Sequence, residues 1–197
     1  MGVLIALASL KGGAGKTTSA IHLAAALAAR RSNRVVLIDG DHTRAATGWA
    51  KRGPGFAFEV RQVGSDTRDA THVIVDTAAG EQPDDLIDLA RIAARVVVPT
   101  APSALDLVVA LSTVRMLKPH ADVRVLLVKT PPPPQVDASE ARDVFEANDQ
   151  RVLKAEIRRR KLYELAALDG VLVRDVRDRD AATLWAAWPS LLREVLP

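Results

Sequence analysis

Residues 9–18 read SLKGGAGKTT, and this run constrains the chain more than any other part of it. It follows the apolar stretch VLIALA, which reads as a buried strand, and leads into an alanine- and leucine-rich helical pattern. Strand, glycine turn and helix in that order gather several backbone N–H groups and a helix N-terminus around one point, which suits an anion. Glycines 12, 13 and 15 allow the positive φ angles and close backbone approach that side chains would block. Gly15, Lys16 and Thr17 match the end of the phosphate-binding pattern G-x-x-x-x-G-K-[ST], whereas its first position is filled by Leu10 and a second lysine stands at Lys11. Gly12, Gly13, Ala14, Gly15, Lys16, Thr17 and Thr18 are therefore expected to cradle phosphates. Lys16 would reach the β- and γ-phosphates and the Thr17 hydroxyl would coordinate Mg²⁺. The bland alternative is a tight strand-to-helix turn with unrelated lysines.

Two later strand ends add acids. The run HVIVD places Asp76 at the carboxyl end of a buried strand, where a carboxylate can hold a Mg²⁺ water beside Thr17. VVLIDGD delivers Asp39 and Asp41 to the carboxyl end of another strand, the side on which open α/β sheets bind ligands. With Lys16 already serving the cradle, Lys11 at the other end of the turn implies a second anion. Two unit charges about 4 Å apart interact by roughly 4 kcal/mol at an effective dielectric of ~20. That is enough for a lysine reaching another subunit's triphosphate to decide whether two copies associate, so the expectation is a nucleotide-gated dimer.

Elsewhere short apolar runs alternate with helical patterns, which predicts an α/β fold: one domain, 1–197, with a mostly parallel twisted sheet flanked by helices on both faces. Strands are expected at Val3–Ala8, Arg34–Asp39, Ala57–Gln62, His72–Asp76, Arg95–Pro99 and Val123–Lys129, and a short helix ends before Gly53-Pro54-Gly55. Longer helices are expected at about 16–31, 83–93, 104–118, 138–148, 159–168 and 180–195. Pro131 to Pro134 favour a stiff polyproline II connection. The absence of cysteine excludes disulfides, thiolate metal sites and iron–sulfur clusters, and the four histidines show no ligand spacing. The stretch MGVLIALASL lacks a basic leader and runs into the glycine turn, so it reads as a strand rather than a signal peptide. No apolar stretch approaches the ~20 residues of a membrane span, and a soluble, cytoplasmic protein is expected.

KGGAGKTT resembles the deviant Walker A motif of the ParA/MinD-type ATPases. The resemblance implies ATP as ligand and a Lys11 that crosses a homodimer interface to the partner's nucleotide. LIDGD is similar to the family's D-x-D segment, which gives Asp41 the attacking water and Asp39 a place on the metal side; Asp76 matches the Walker B aspartate. VVVPTAPSALDL, with Pro99, Pro102, Ser103 and Asp106, is similar to a segment of the short plasmid ParA proteins beside the nucleotide and dimer interface. KAEIRRRKLYELAALDGVLVRDV looks like their C-terminal portion. Two departures stand out. Thr77-Ala78-Ala79-Gly80 replaces the usual proline pair, and Lys129-Thr130 replaces the asparagine or arginine that often holds adenine.

The family likeness implies a slow ATPase that pairs on ATP, binds a surface and is released by hydrolysis, stimulated by a centromere-binding (ParB-like) or adaptor protein. Residues 1–150 hold 17 basic and 17 acidic residues and residues 151–197 hold 10 and 7, so the excess charge lies near the C-terminus. Arg158, Arg159, Arg160 and Lys161, with Arg174, are the candidates for non-specific DNA contact, which would make the ATP form nucleoid-associated. The competing reading has them solvating a helix, since consecutive residues turn about 100° apart. A MinD-like membrane helix is the rival surface, but AATLWAAWPSLLREVLP carries one basic residue and is interrupted by Pro189. An ATP-dependent ligase on the same scaffold and a non-hydrolysing scaffold protein are the remaining alternatives. Trp49, Tyr163, Trp185 and Trp188 read as packing residues.

Overall fold

The computed structural model describes residues 2–132 and 134–197; Pro133 of the expected polyproline segment lies outside the described residues. Its strands are β1 (Val3–Leu7), β2 (Val35–Asp39), β3 (Glu59–Gln62), β4 (His72–Asp76), β5 (Arg95–Thr100), β6 (Val123–Thr130) and β7 (Ile157–Arg158). They pair in parallel in the order β3-β2-β4-β1-β5-β6-β7. The helices are α1 (Lys16–Ala28), α2 (Ala45–Arg52), α3 (Pro83–Ile92), α4 (Ala104–Leu117), α5 (Asp137–Ala147), α6 (Leu162–Asp169) and α7 (Ala181–Val195), with a 3₁₀ turn at Val173–Asp175.

Alternation along the central strands feeds two cores. Ile5, Leu7, Val97, Leu126 and Val128 face the layer of α1, α2, α6 and α7, while Ala6, Ala8, Val96, Val98, Val125 and Leu127 face α3, α4 and α5. Burial on both faces is why these strands read as continuous apolar runs. The order reverses around β1, whose neighbours are β4 and β5, so the carboxyl ends of these strands frame the crevice where such sheets take ligands.

A seventh strand not expected from the sequence, Ile157–Arg158, extends the sheet just before the helix expected at about 159–168, and that helix, α6, runs Leu162–Asp169. Arg159 is drawn to the edge of the sheet because its N–H donates to the Thr130 carbonyl at 2.9 Å. Pro189 does not interrupt the last helix, which runs through it to Val195. A helix-interior proline costs about 3 kcal/mol, whereas burying Trp188, Leu191, Leu192 and Val195 returns on the order of 1.5–3 kcal/mol per side chain.

The end of α7 is fastened to the base of the sheet. Arg95 Nη1 donates to the carbonyls of Glu194, Val195 and Leu196 at 2.8, 3.0 and 3.0 Å, and Nη2 to Asp122 at 2.8 Å. The start of α1 is joined to the same layer through His22, fully buried and stacked on Trp188 at 4.9 Å. Its Nε2 accepts the Val173 N–H at 3.1 Å and its Nδ1 faces the Thr18 carbonyl at 2.8 Å, which sets the Nδ1–H tautomer. Burial drives its pKa down to about 4. Among the described residues no helix is long and apolar enough to cross a membrane.

Candidate phosphate and nucleotide site

β1 is followed by the turn of residues 9–15, which delivers the chain to α1. Gly13 and Gly15 have φ of 72° and 89°, and a Cβ on Gly15 would lie 3.3 Å from Val128 Cγ2, so both geometry and space call for glycine. Gly15 caps α1 without a side chain, leaving its first N–H groups to an outside acceptor. The turn opens onto a cavity of about 270 Å³ lined by residues 13–18, Asp41, Ala79 and Lys129.

Lys16 is folded across the turn, 6% exposed, with Nζ donating to the carbonyls of Ser9 at 3.4 Å and Lys11 at 3.2 Å. Burial lowers its pKa, while the Asp76, Asp41 and Glu81 carboxylates act the other way. A buried ammonium on two long carbonyl contacts is under-compensated, as expected of a cation waiting for an anion. Asp76 is fully buried, and neither of its oxygens has a hydrogen-bond partner among the described residues. Burial pushes its pKa up to about 7, although the Thr17 hydroxyl lies close enough to hold it below what burial alone would give. Orphaned carboxylate oxygens beside a hydroxyl fit a divalent cation such as Mg²⁺, which takes one or two protein oxygens and completes its shell with phosphates and water. No cluster of three or more carboxylate or histidine groups competes for a metal among the described residues.

Asp39 and Asp41 are near neighbours in different environments. Both oxygens of Asp39 are engaged: Oδ2 accepts the Thr47 N–H at 2.8 Å and hydroxyl at 2.6 Å, and Oδ1 accepts the Asp41 N–H at 3.3 Å. The carboxylate of Asp39, expected on the metal side, is thus engaged with the start of α2 and with its own loop. Asp41 remains half-exposed on the cavity wall. Its pKa is lowered despite some desolvation, chiefly by the Thr43 backbone and hydroxyl and then by the Ala79 backbone.

Lys11 is turned out of the cradle and pairs with Asp106, which also receives the Ser103 hydroxyl. Ser103 caps α4 by accepting the Asp106 N–H at 3.3 Å. With side-chain exposures of 43% for Lys11 and 17% for Asp106, the pair is a weak tether.

A second cavity of about 460 Å³ adjoins Gly15, Thr18 and Ser19 and is lined by Lys129, Arg158, Arg159, Arg160, Tyr163 and Glu164. The basic stretch assigned from sequence to DNA thus has three of its members beside the phosphate turn, while Lys161 stands exposed at the start of α6. Arg174 lies elsewhere, with its guanidinium 4.5 Å from the Trp185 ring.

Two further residues at the site, Ser19 and Glu81, were not singled out in the sequence, and Lys129 was singled out only as a departure at the adenine side. Ser19 lines this second cavity, and its buried Oγ has no hydrogen-bond partner among the described residues. Lys129 holds a left-handed backbone, φ 54°, and donates to the Gly13 carbonyl at 2.7 Å. Glu81 accepts the Ala78 N–H at 2.9 Å. The acid three residues after Ala78 and the polar residue one helical turn after Gly15 were the available signals.

A family model described as the CobQ/CobB/MinD/ParA nucleotide binding domain matches residues 5–179. The chain is similar to the maintenance of carboxysome distribution protein A of Gloeobacter kilaueensis, at 33% identity over 98% of this chain and 93% of that protein. It is also similar to the protein of the same name from Halothiobacillus neapolitanus, at 29% identity over 98% and 96% of the two chains. Among solved structures, an ATP complex of a Cyanothece McdA variant superposes with a TM-score of 0.80 at 14% identity, covering 100% of this chain and 98% of that one. With a phosphate turn, an orphaned acid and a sheet order that this likeness extends from end to end, the chain belongs to the CobQ/CobB/MinD/ParA nucleotide-binding family.

Proposed function

We propose that the chain is a Mg²⁺-dependent ATPase that pairs on ATP and distributes a cargo through slow hydrolysis stimulated by an adaptor protein. The observation that carries this reading is the split between two lysines five positions apart: Lys16 lies inside the cradle, and Lys11 is turned outward onto Asp106. In this scheme the turn and Lys16 hold the phosphates, Thr17 and Asp76 serve the metal, and Asp41 orients water. Lys11 leaves Asp106 for the triphosphate of a second copy. The nucleoside half fits the second cavity, whose volume lies in the usual range for small-molecule sites. Bound Mg²⁺ would neutralise phosphate charge; this chain's contribution is otherwise positioning and electrostatics.

The relatives named for carboxysome distribution favour a large assembly of that kind as cargo over a plasmid. Non-specific DNA remains the proposed track, with its contact residues reassigned away from Arg158–Arg160. A membrane surface is disfavoured because the apolar residues of α7 are packed against the sheet and α1. The test is solution mass with and without a non-hydrolysable ATP analogue. The wild-type mass of 21.1 kDa should double with the analogue, and Lys11→Ala should bind the analogue yet stay single. A wild type that binds the analogue and remains a monomer would reject the scheme.

Asp76 supplies a second expected outcome. Its raised pKa means that the folded state holds a proton more tightly than the unfolded chain. Its influence therefore favours folding at low pH and is lost as pH rises from ~3.9 through about 7. At pH 8 a buried, unpaired carboxylate remains in the ligand-free protein. Asp76→Asn should then raise the ligand-free melting temperature by about 5 °C, while removing the gain in nucleotide affinity that Mg²⁺ gives the wild type. Differential scanning calorimetry and titrations with and without Mg²⁺ check both halves.

A further inference from the structure

We infer that Thr47 is a positioning residue for Asp41, acting through the buried carboxylate of Asp39. The inference rests on the proposed role of Asp41 in orienting water. Asp39 is fully buried at the carboxyl end of β2. Two of its three side-chain hydrogen bonds come from one residue, since Thr47 gives Oδ2 both its N–H at 2.8 Å and its hydroxyl at 2.6 Å. Paired donors to one oxygen of an ionised carboxylate are strong and fix its plane. With Oδ2 held, Oδ1 is presented to the Asp41 N–H at 3.3 Å, a long contact that depends on that orientation.

The rest of the loop supports Asp41 through its own turn and through the Thr43 and Ala79 backbone at its carboxylate. Gly40 N–H donates to the Asp76 carbonyl at 2.8 Å, and a Cβ there would lie 2.8 Å from the same oxygen, so the loop is pressed onto β4. Asp41 then closes its own turn, its carboxylate accepting the Thr43 N–H at 2.8 Å and its carbonyl the Arg44 N–H at 2.9 Å. Arg44, the residue before α2, has φ 54° and gives the helix no side-chain cap. Asp39, eight residues before Thr47, supplies the missing anion at a helix N-terminus that favours it.

Thr47 is itself held in place. Its helix is fixed to the C-terminal layer by Trp49 Nε1, which donates to the Val171 carbonyl at 2.8 Å, and by Arg52 Nε, which donates to the Ala167 carbonyl at 2.9 Å. At the end of α2 the backbones of Gly53 and Gly170 come so close that a Cβ on Gly53 would lie 2.1 Å from the Gly170 oxygen. Thr47 therefore connects a rigid helix to the loop that carries the water-orienting acid.

The experiment compares Thr47→Val, Thr47→Ser and Asp41→Ala with the wild type by phosphate release, by affinity for a non-hydrolysable ATP analogue and by mass with that analogue. Thr47→Val keeps the shape and loses the hydroxyl. Its kcat should fall by about 10- to 100-fold, the range expected for a slightly misplaced reacting group, with analogue affinity and dimer mass unchanged. Thr47→Ser should restore kcat to within about 3-fold. If Thr47→Val fails to fold, Thr47→Ala against Thr47→Ser gives the same comparison. Wild-type kcat in the hydroxyl-less variant, or equal loss in the serine variant, would overturn the inference while leaving Asp41 in its role. Normal turnover by Asp41→Ala would remove that role, and the one inferred for Thr47 with it.

Discussion

Lys16→Ala is expected to abolish nucleotide binding, weakening affinity for ATP by at least about a thousand-fold in isothermal titration. The lysine lies buried across the turn, its ammonium donating to the Ser9 and Lys11 carbonyls at 3.4 and 3.2 Å. A single ammonium–phosphate contact at about 4 Å is worth roughly 4 kcal/mol at an effective dielectric of ~20, and 1.4 kcal/mol is a factor of ten. Lys129 cannot substitute for it, because its ammonium is engaged at the Gly13 carbonyl on the rim. The fold should survive, although buried Asp76 loses a nearby cation that favours its ionised form, so the melting transition is followed beside the titration. Unchanged ATP affinity in a folded Lys16→Ala variant would refute the phosphate assignment. Loss of binding together with loss of the melting transition would be checked with Lys16→Met, which keeps the bulk.

The strands and the phosphate turn were legible because their determinants are local. VLIAL is apolar throughout, VVLID is apolar up to its terminal acid, and HVIVD is apolar between His72 and Asp76, as strands buried on both faces should be, and a glycine run between strand and helix has few other uses. The parts that were misread depend on partners distant in sequence. β7 is only Ile157–Arg158, and it is a strand because β6 offers an open edge; read alone, the arginines and lysine around it are good helix formers. The family likeness gives Asp39 and Asp41 different roles, but the letters DGD do not show that Thr47, brought back by α2, holds the carboxylate of Asp39. Pro189 reads as a breaker until the burial of Trp188 and Leu191 is counted.

The double variant Arg158→Glu, Arg160→Glu is where sequence and structure part most clearly. Read from the sequence, these arginines contact DNA, and their reversal should spare ATP. Their position in the second cavity with Gly15, Thr18 and Ser19 makes the opposite outcome the expected one: ATP-analogue affinity should fall by about 100-fold or more, because reversing two charges places two carboxylates on the wall of the cavity proposed for the nucleoside half, where a partly enclosed site screens their repulsion of an anionic ligand only weakly. In the proposed scheme DNA retention would disappear in either case, since a chain that does not bind ATP would not form the proposed dimer that doubles the basic field. The nucleotide titration, followed by the fluorescence of Trp188 at the cavity floor, therefore has to precede any DNA measurement. Salt adds a second discriminator: counterion release gives DNA retention a steep dependence on salt, whereas a partly enclosed nucleotide contact is screened far less. An ATP affinity within about 2-fold of wild type, with DNA retention lost and its salt slope reduced, would return these arginines to the polyanion surface and leave the second cavity without an assigned ligand.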